Sequence, residues 1–343
     1  TTGLPKGVML THHNLVANLC QYQPVVDLGE ETGVAVLPFF HLYGQVVLMA
    51  AALRQGATLV TMPRFDLEQF LAILQDYRVS RAAVVPPIVL ALTKHPLVDR
   101  FDLSALGFVL SGAAPLSAEL EEACGRRLGC VVGQGYGLTE TGPVLTAHPP
   151  EEARIRHGSA GQLLPNTQAK VVDLATGEAL GRDQDGELCF RGPQVMAGYL
   201  NRPAETAQML DADGWLRTGD IGHVDDDGFF YVVDRVKELI KYKGHQVAPA
   251  ELEAVLVSHP GIADAAVVRV ADEEAGEVPK AFVVATTQLS AQEVIEYVAE
   301  RVAPHKKVRA VEFIDQIPKS LSGKIMRRLL MERERQTTAN LAS

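Results

Sequence analysis

Short apolar runs alternate with amphipathic stretches over the first part of the chain, from about Val34 to Gln134. Each run has strand length, and each following stretch spaces its apolar residues three or four positions apart, as on one helix face. Asp66 and Ser117 stand directly before two such stretches, where a short polar side chain can cap a helix. The pattern predicts an α/β fold, with parallel β-sheet layers and helices between the strands.

The pattern changes twice further along the chain. From about 160 to 236, strand-like runs separated by Gly/Asp turns predict a small β-rich subdomain. After Lys237, helices opened by Pro249 and Ser290 alternate with three strand-like runs. We therefore predict a large domain over 1–236 and a C-terminal α+β domain over 237–343.

Composition narrows the possible partners. A formal charge of -10 argues against general affinity for nucleic acid or an anionic membrane, so any phosphate chemistry must be local. Four scattered cysteines without metal-binding spacing indicate reduced thiols and a cytoplasmic protein. The apolar runs are too short for a transmembrane segment. Because Thr1 opens directly into a Gly-rich motif, we expect a further N-terminal region to precede it.

Two Gly-rich motifs carry groups suited to a nucleotide. In "TTGLPKGV", Gly3 and its neighbours combine close backbone approach with hydroxyls from Thr1 and Thr2 and the charge of Lys6, as in a phosphate cradle. Lys6 precedes Gly7, so this is not a Walker A loop, and a plain turn is the alternative.

The second motif is "GQGYGLTETG", from Gly133 to Gly142. Its glycines would let a flat base lie on the backbone, Tyr136 could stack, and Glu140 could bind Mg²⁺. A glycine-rich turn with a solvated glutamate is the alternative. Asp220 in "RTGD" and Arg235 in "DR" could bond ribose hydroxyls or only shape turns.

Lys324 lies in "PKSLSGKIMRR", where Gly323 and two serines predict a loop that enters a helix. Such a place suits a movable cation. A solvated lysine at a basic helix start is the alternative reading.

These motifs, in this order and with "DRVKELIKYKGHQVAPAELE" between the last two, resemble the acyl-adenylate-forming superfamily, nearest to 4-coumarate:CoA ligases, acyl-CoA synthetases and luciferases. The resemblance runs from Thr1 to about Arg328, although the family's phosphate loop normally begins with Ser-Gly residues that are absent here. It implies that a carboxylate attacks ATP to give an acyl-adenylate, from which coenzyme A then displaces AMP. By the family's pattern, the phosphate and nucleotide contacts are Thr1, Thr2, Gly3, Lys6, Gln134, Gly135, Tyr136, Thr139, Asp220 and Arg235, with Glu140 for Mg²⁺.

The resemblance also implies which residues act in the two steps as the C-terminal domain moves. Lys324 matches the adenylation lysine, and Lys237 matches the hinge of a mobile C-terminal domain. The swing of that domain would bring Lys241, Lys243, Gly244 and Gln246 to the site, with Lys243 and Gly244 contacting coenzyme A, although a solvated loop charge is the rival reading for both lysines. Arg64 matches a cation for the CoA phosphates. The implied acyl pocket consists of His41, Tyr43, Gly112, Ala113, Ala114, Pro143, Val144 and Leu145.

The favoured function is an ATP-dependent acid:CoA ligase for a 4-coumarate- or cinnamate-type acid, because small residues in "SGAAP" leave room for a ring. A medium- or long-chain fatty acyl-CoA synthetase is the alternative, since Val46, Val47 and Leu110 would form an apolar wall that suits an alkyl chain. A luciferase-like oxygenase is less favoured. From another class, a non-catalytic adenylate-binding fragment or acyl carrier partner stays open. The oligomeric state is not predicted.

Overall fold

A computed structural model describes residues 6–29, 31–272, 274–320 and 323–341, with the backbone alone from 337 to 341. The chain falls into two compact units. The first runs to Thr218 and includes Gly222–Val232, and the second consists of Gly219–Ile221 and the chain from Val233 onward.

The strands of the described residues are, in chain order, β1 (Val8–Met9), β2 (Thr32–Ala35), β3 (Thr58–Thr61), β4 (Arg81–Val84), β5 (Phe108–Ser111), β6 (Val131–Gly137), β7 (Val144–Ala147), β8 (Gln162–Leu163), β9 (Gln168–Val172), β10 (Gly186–Arg191), β11 (Gly198–Tyr199), β12 (Leu216–Val224), β13 (Phe230–Arg235), β14 (Ile240–Tyr242), β15 (His245–Val247), β16 (Ile262–Asp272), β17 (Gly276–Ala285) and β18 (Ala310–Phe313).

The α-helices of the same residues are α1 (His12–Tyr22), α2 (Ala51–Gln55), α3 (Leu67–Asp76), α4 (Pro86–Lys94), α5 (Ala118–Leu128), α6 (Pro203–Met209), α7 (Pro249–Ser258), α8 (Ala291–Ala299) and α9 (Arg327–Leu341). A π-helix covers Tyr43–Ala50, and short 3₁₀ turns cover Pro96–Arg100, Thr139–Thr141, Glu152–Arg154 and Pro304–Lys306.

The largest sheet has seven strands in the order β3-β2-β4-β5-β6-β7-β8. Strands β3 to β6 are parallel, whereas β7 is antiparallel to both β6 and β8. Helices α3, α4 and α5 pack their apolar faces on it, burying Phe70, Leu92 and Cys124 among others. The α/β fold with parallel strands is therefore confirmed.

Two smaller sheets also form in the first part of the chain. One has the order β13-β12-β10-β9 and forms the β-rich part, and the other pairs β1 with β11. Within the second unit, a five-stranded sheet has the order β15-β14-β17-β16 with β18 parallel to β17. Helices α7 and α8 bury Leu252 and Val298 in the core of this unit.

The helix starts follow the local signals. Asp66 Oδ1 accepts from Gln69 N at 2.9 Å, and Ser117 Oγ accepts from Leu120 N at 3.3 Å. Ser290 caps α8 through a reciprocal pair with Glu293. In each case the side-chain oxygen satisfies an amide that the helix itself leaves without a partner.

The amphipathic stretch over 42–55, which the alternating pattern predicts to be one helix, is instead a π-helix that continues as α2. Ala51 N donates to Val46 O, five residues earlier. Apolar residues occupy almost every position from Val46 to Ala52, so their spacing could not specify one helical period. Among the described residues, no helix is long and apolar enough to cross a membrane.

Candidate functional site

The carboxyl ends of β4, β5 and β6 lie side by side, because these neighbouring strands are parallel. The candidate acyl residues Gly112, Ala113 and Ala114 follow β5 directly, and the candidate nucleotide residues occupy the end of β6. Ligands of open α/β sheets bind at this edge. The topology therefore gathers two motifs that are about twenty residues apart in the chain.

Tyr43 connects this edge to the π-helix. Its hydroxyl donates to the carbonyl of Leu110 at 3.0 Å, with the carbonyl of Val84 at 3.2 Å, at the ends of β5 and β4. Its ring lies against Gly112, where an added Cβ would come within 3.0 Å of Cε1. His41 supports this position, since its Nδ1 accepts from Tyr43 N at 3.2 Å. Tyr43 and Gly112 thus form one packed wall.

The turn after β5 holds a strained backbone. Ala113 has φ = 72°, in the left-handed region that costs a residue with a Cβ on the order of 1–2 kcal/mol. Its methyl group packs against the core beneath the parallel strands. Strain of this kind often accompanies functional turns.

The remaining pocket candidates separate onto two faces. Val144 is buried in one cluster with Leu110, against which Tyr43 also packs. Leu145 is buried in another cluster, with Phe190 and Phe230. Successive residues of a strand point to opposite faces. The structure therefore brings Val144 to the Tyr43 wall and leaves the Leu145 side chain on the β-rich side, while buried Pro143 precedes both.

The side chain of Gln134 is engaged inside the fold. Its amide nitrogen donates to Leu116 O at 3.0 Å and to Glu121 Oε2 at 2.8 Å, and its oxygen accepts from Leu116 N at 3.0 Å. This amide therefore ties β6 to the turn after β5. Next to it, Gly135 pairs with Ala147 across the β6–β7 ladder.

The other nucleotide candidates follow along the same segment. Tyr136 is half-buried, and its ring centroid lies 6.0 Å from that of Phe190. Thr139 is exposed at the start of a 3₁₀ turn.

Glu121 is a buried carboxylate that sequence reasoning missed. Its side chain is fully buried, Gly158 N donates to Oε2 at 3.1 Å, and His157 Nδ1 lies 3.1 Å from Oε1. Burial raises the pKa of this carboxyl. Because Glu121 also binds Gln134, it fastens β6 and the 157–158 loop to α5. Its position in an amphipathic helix gave no signal of this role.

Lys6, Tyr199 and Glu140 form a second constellation, brought together by the β1–β11 pair. Lys6 Nζ lies 4.2 Å from the centre of the Tyr199 ring, and the Tyr199 hydroxyl donates to Glu140 Oε1 at 2.6 Å. Burial and this bond raise the pKa of Tyr199. Tyr199 was missed because 59 residues separate it from Glu140. The candidates Thr1, Thr2 and Gly3 lie outside the described residues.

Glu140 fits an Mg²⁺ ion of the kind held by one carboxylate together with substrate phosphates and water. It is half-buried, and its Oε1 is oriented by Tyr199, against whose ring Lys6 lies. The described residues hold no group of three or more His, Cys, Asp or Glu side chains placed to bind a metal by themselves. The donor set therefore suits an ion that arrives with a nucleotide.

In the second unit, Asp220 and Arg235 come together although the sequence separates them. Arg235 Nε lies 3.1 Å from Asp220 Oδ1, and the Asp220 side chain is buried. Val236 N donates to Gly219 O at 2.9 Å, and the carbonyl of Lys237 accepts from Arg269 Nη1 at 2.8 Å. Asp220 and Arg235, the ribose candidates, and Lys237, the hinge candidate, thus lie in one hydrogen-bonded part of the second unit.

The β14–β15 hairpin gathers the four residues that the resemblance assigned to the second step. Lys241 and Gln246 face each other across the ladder. Lys243 (φ = 45°) and Gly244 (φ = 83°) form its two-residue turn, where both positions need positive φ. Lys243 Nζ pairs with Glu274. The hairpin was not predicted as such.

Lys324 is exposed on a tight turn. Lys319 and Ile325 form a bridge, Ser320 N donates to Lys324 O at 2.8 Å, and helix α9 starts three residues after the lysine. Arg64 is also exposed, between β3 and α3.

The family model described as "AMP-binding enzyme" matches residues 1–200. The chain belongs to the AMP-binding enzyme family. A second model, "AMP-binding enzyme C-terminal domain", matches residues 251–324.

Two curated relatives of this AMP-binding enzyme are 4-coumarate–CoA ligases. The chain is 50% identical over 342 residues to 4-coumarate–CoA ligase of Pinus taeda, covering 97% of this chain and 64% of the relative. It is also 50% identical over 341 residues to 4-coumarate–CoA ligase 2 of Oryza sativa subsp. japonica, covering 96% and 60%. The chain thus spans less than two thirds of the length of these relatives.

Solved structures agree on the fold of this AMP-binding enzyme. ATP-bound MatB from Rhodopseudomonas palustris superimposes with a TM-score of 0.90 at 29% identity, covering 97% of this chain and 66% of that chain. The o-succinylbenzoate CoA synthetase of Bacillus subtilis, in complex with its acyl-adenylate intermediate, gives 0.84 at 32% identity, covering 96% and 66%.

Proposed function

We propose that the protein is an ATP-dependent acid:CoA ligase that activates a cinnamate- or 4-coumarate-type acid as its acyl-adenylate and transfers the acyl group to coenzyme A. The observation that carries the proposal is the 50% identity to 4-coumarate–CoA ligase over 97% of this chain. The gathering of the acyl and nucleotide motifs at one edge of the parallel sheet supports it.

In the first half-reaction, the carboxylate oxygen of the acid attacks the α-phosphorus of ATP and pyrophosphate leaves. This displacement needs positioning and charge neutralisation more than covalent help from the protein. Lys6 and the other phosphate-loop residues would hold phosphate oxygens, and Asp220 and Arg235 would bond the ribose. Glu140, oriented by Tyr199, would hold Mg²⁺, which supplies positive charge beside the phosphates.

Lys324 supplies the decisive cation in this proposal. It would reach the carboxylate and the α-phosphate oxygens as negative charge gathers there in the transition state. Its exposure on a short, internally bonded turn supports this role, because an exposed ammonium group is accessible to a ligand.

In the second half-reaction, the CoA sulfur attacks the acyl carbon and AMP leaves. The C-terminal domain, from Lys237 onward, would swing between the two steps. Lys237 follows the point where the chain enters the second unit at Val233, which supports a hinge there. The hairpin that carries Lys241, Lys243, Gly244 and Gln246 would then contact coenzyme A, with Arg64 as a further cation for its phosphates.

An aromatic acid is favoured over a fatty acid. The preference rests on the 50% identity to 4-coumarate–CoA ligase. The small cavity that Val47 and Leu110 line lies at the amino ends of β2 to β5, away from the acyl candidates at the carboxyl edge, so it does not distinguish the two classes of acid. A cytoplasmic location completes the proposal, supported by four cysteines without disulfides.

The test is Lys324→Ala in the complete natural protein, with the two half-reactions measured separately. We expect acid-dependent ATP–pyrophosphate exchange to fall about a hundredfold or more, because a transition-state cation is lost. Thioester formation from supplied 4-coumaroyl-adenylate and CoA should be largely retained. Arg328→Ala is the control, since that side chain is 73% exposed and pairs with Glu332 on its own helix. Equal losses in both half-reactions would refute the assigned role.

A further inference from the structure

We propose that Arg327 and Lys319 are positioning residues that clamp the two ends of the Lys324 turn onto the body of the C-terminal unit. The turn itself is short: Lys319 bridges Ile325, and Met326 N donates to Pro318 O at 2.8 Å. Hydrogen bonds inside a turn fix its shape but not its direction. Direction must come from contacts to the sheet and helices beside it.

Arg327 provides this contact where the chain leaves the turn. Its Nη2 lies 2.8 Å from both carboxylate oxygens of Glu253 on α7, and its Nε donates to the carbonyl of Val267 on β16 at 3.2 Å. The Arg327 side chain is only 15% exposed. A guanidinium held in a planar fork resists rotation, as a lysine ammonium would not.

A second carboxylate extends the clamp to the hinge candidate. Arg327 Nη1 lies 3.0 Å from Glu238 Oε2, and Glu238 follows Lys237 directly in the chain. One guanidinium therefore joins the lysine turn, helix α7 and the segment at which the unit is proposed to swing. The turn would then move with the unit as a rigid part of it.

Lys319 provides the matching contact where the chain enters the turn. Its Nζ lies 2.6 Å from Asp264 Oδ2 on β16, with both side chains about three-quarters buried. Strand β16 thus receives both ends of the turn, through Asp264 and through Val267 O. Fixing both ends limits the directions in which Lys324 can point, which lowers the entropy lost when it reaches a ligand.

This inference rests on the proposed role of Lys324 for its catalytic readout and on hydrogen exchange for its structural readout. In the complete protein, Arg327→Met should lower kcat for acid-dependent ATP–pyrophosphate exchange about tenfold to a hundredfold, with KM for ATP changed less than about threefold. The thioester step from supplied 4-coumaroyl-adenylate should change little. Arg327→Lys should restore a minor part of the activity, and Lys319→Met should give a smaller loss. Arg328→Met is the matched control.

Because Arg327→Met leaves Glu253 buried without its partner, a loss of stability could imitate a loss of positioning. The double variant Arg327→Met/Glu253→Gln removes the charge from both partners. We expect it to regain most of the thermal stability lost by Arg327→Met while adenylation stays low. Recovery of adenylation together with stability would overturn the proposal.

Hydrogen exchange separates this inference from the role of Lys324. In the double variant, the amides of Ser320 and Met326 should exchange at least about tenfold faster, while the centre of β17 stays protected. Unchanged exchange in the turn would overturn the clamp, whatever the activities show. Faster exchange together with full adenylation by Lys324→Ala would keep the clamp and refute the role of Lys324.

Discussion

Replacing Gly112 by alanine tests the wall that Tyr43 forms at the carboxyl edge of the sheet. A Cβ at this position would lie 3.0 Å from Tyr43 Cε1, 3.1 Å from Cζ and 3.2 Å from Oη. Carbon atoms pack best about 3.5–4.0 Å apart, so the ring must retreat by roughly half an ångström or more. That shift stretches the bonds from Tyr43 Oη to Leu110 O and Val84 O, now 3.0 and 3.2 Å.

The cost follows from these contacts. Over-packing by one methyl group costs about 1–3 kcal/mol, and a weakened hydrogen bond adds about 0.5–1.5 kcal/mol. Glycine to alanine also restricts the unfolded chain, which offsets about 0.4–1 kcal/mol. We therefore expect Gly112→Ala to lower the free energy of unfolding of the first unit by roughly 0.5–4 kcal/mol.

The assay is urea unfolding followed by the fluorescence of Trp215, the single tryptophan, which belongs to the first unit. Gly107→Ala is the matched control at the other end of β5, because within 4 Å its Cβ would meet Ser80 O alone, at 3.8 Å. We expect that control to be neutral or slightly stabilising.

A Tyr43→Ala background decides whether the ring is the cause. If the reasoning is right, adding Gly112→Ala to Tyr43→Ala costs no more than Gly107→Ala does in the same background. The same cost with and without the ring would refute the close contact as its origin.

Two further predictions concern the nucleotide side of the first unit. Tyr199→Phe removes the 2.6 Å bond to Glu140 but keeps the ring beside Lys6, and it should raise the Mg²⁺ concentration for half-maximal adenylation about three- to tenfold. Tyr231→Phe is the control for this variant. An unchanged Mg²⁺ dependence in Tyr199→Phe would contradict the prediction. Burial lowers the pKa of His148 from 6.5 to about 4, so the folded state favours the neutral imidazole. This contribution to the free energy of unfolding is complete above pH 6.5 and is lost as the pH falls towards 4. The free energy of unfolding should fall by up to about 3 kcal/mol over that range, less so in His148→Gln than in the exposed-site control His13→Gln.

Local rules explain what could be predicted from the sequence. Strand-length apolar runs, helix-spaced stretches and the caps Asp66, Ser117 and Ser290 depend on residues within a few positions of one another. The turn at Lys324 is equally local, since its bonds join residues only a few positions apart. These features can therefore be predicted from the order of the residues alone.

The spacing of apolar residues also limited the secondary structure that could be predicted from the sequence. The stretch over Tyr43–Ala50 is apolar on nearly all sides, so its helical period was undetermined and a π-helix formed where one continuous helix was expected. Val144 and Leu145 were assigned to one pocket, yet a strand turns neighbouring side chains to opposite faces. That correction required only the knowledge that the segment is a strand.

Only the tertiary structure decided which distant side chains share a site. Tyr199 meets Glu140 beside the bond that Met196 N donates to Glu140 O, and Arg327 meets Glu253 because α9 starts beside α7 and β16. Glu121, Gln134 and Gly158 join through the crossing of a helix, a strand and a loop. A charged or amide side chain finds its partner by three-dimensional proximity and burial, which the chain acquires when it folds, and the identity of its sequence neighbours does not encode that partner.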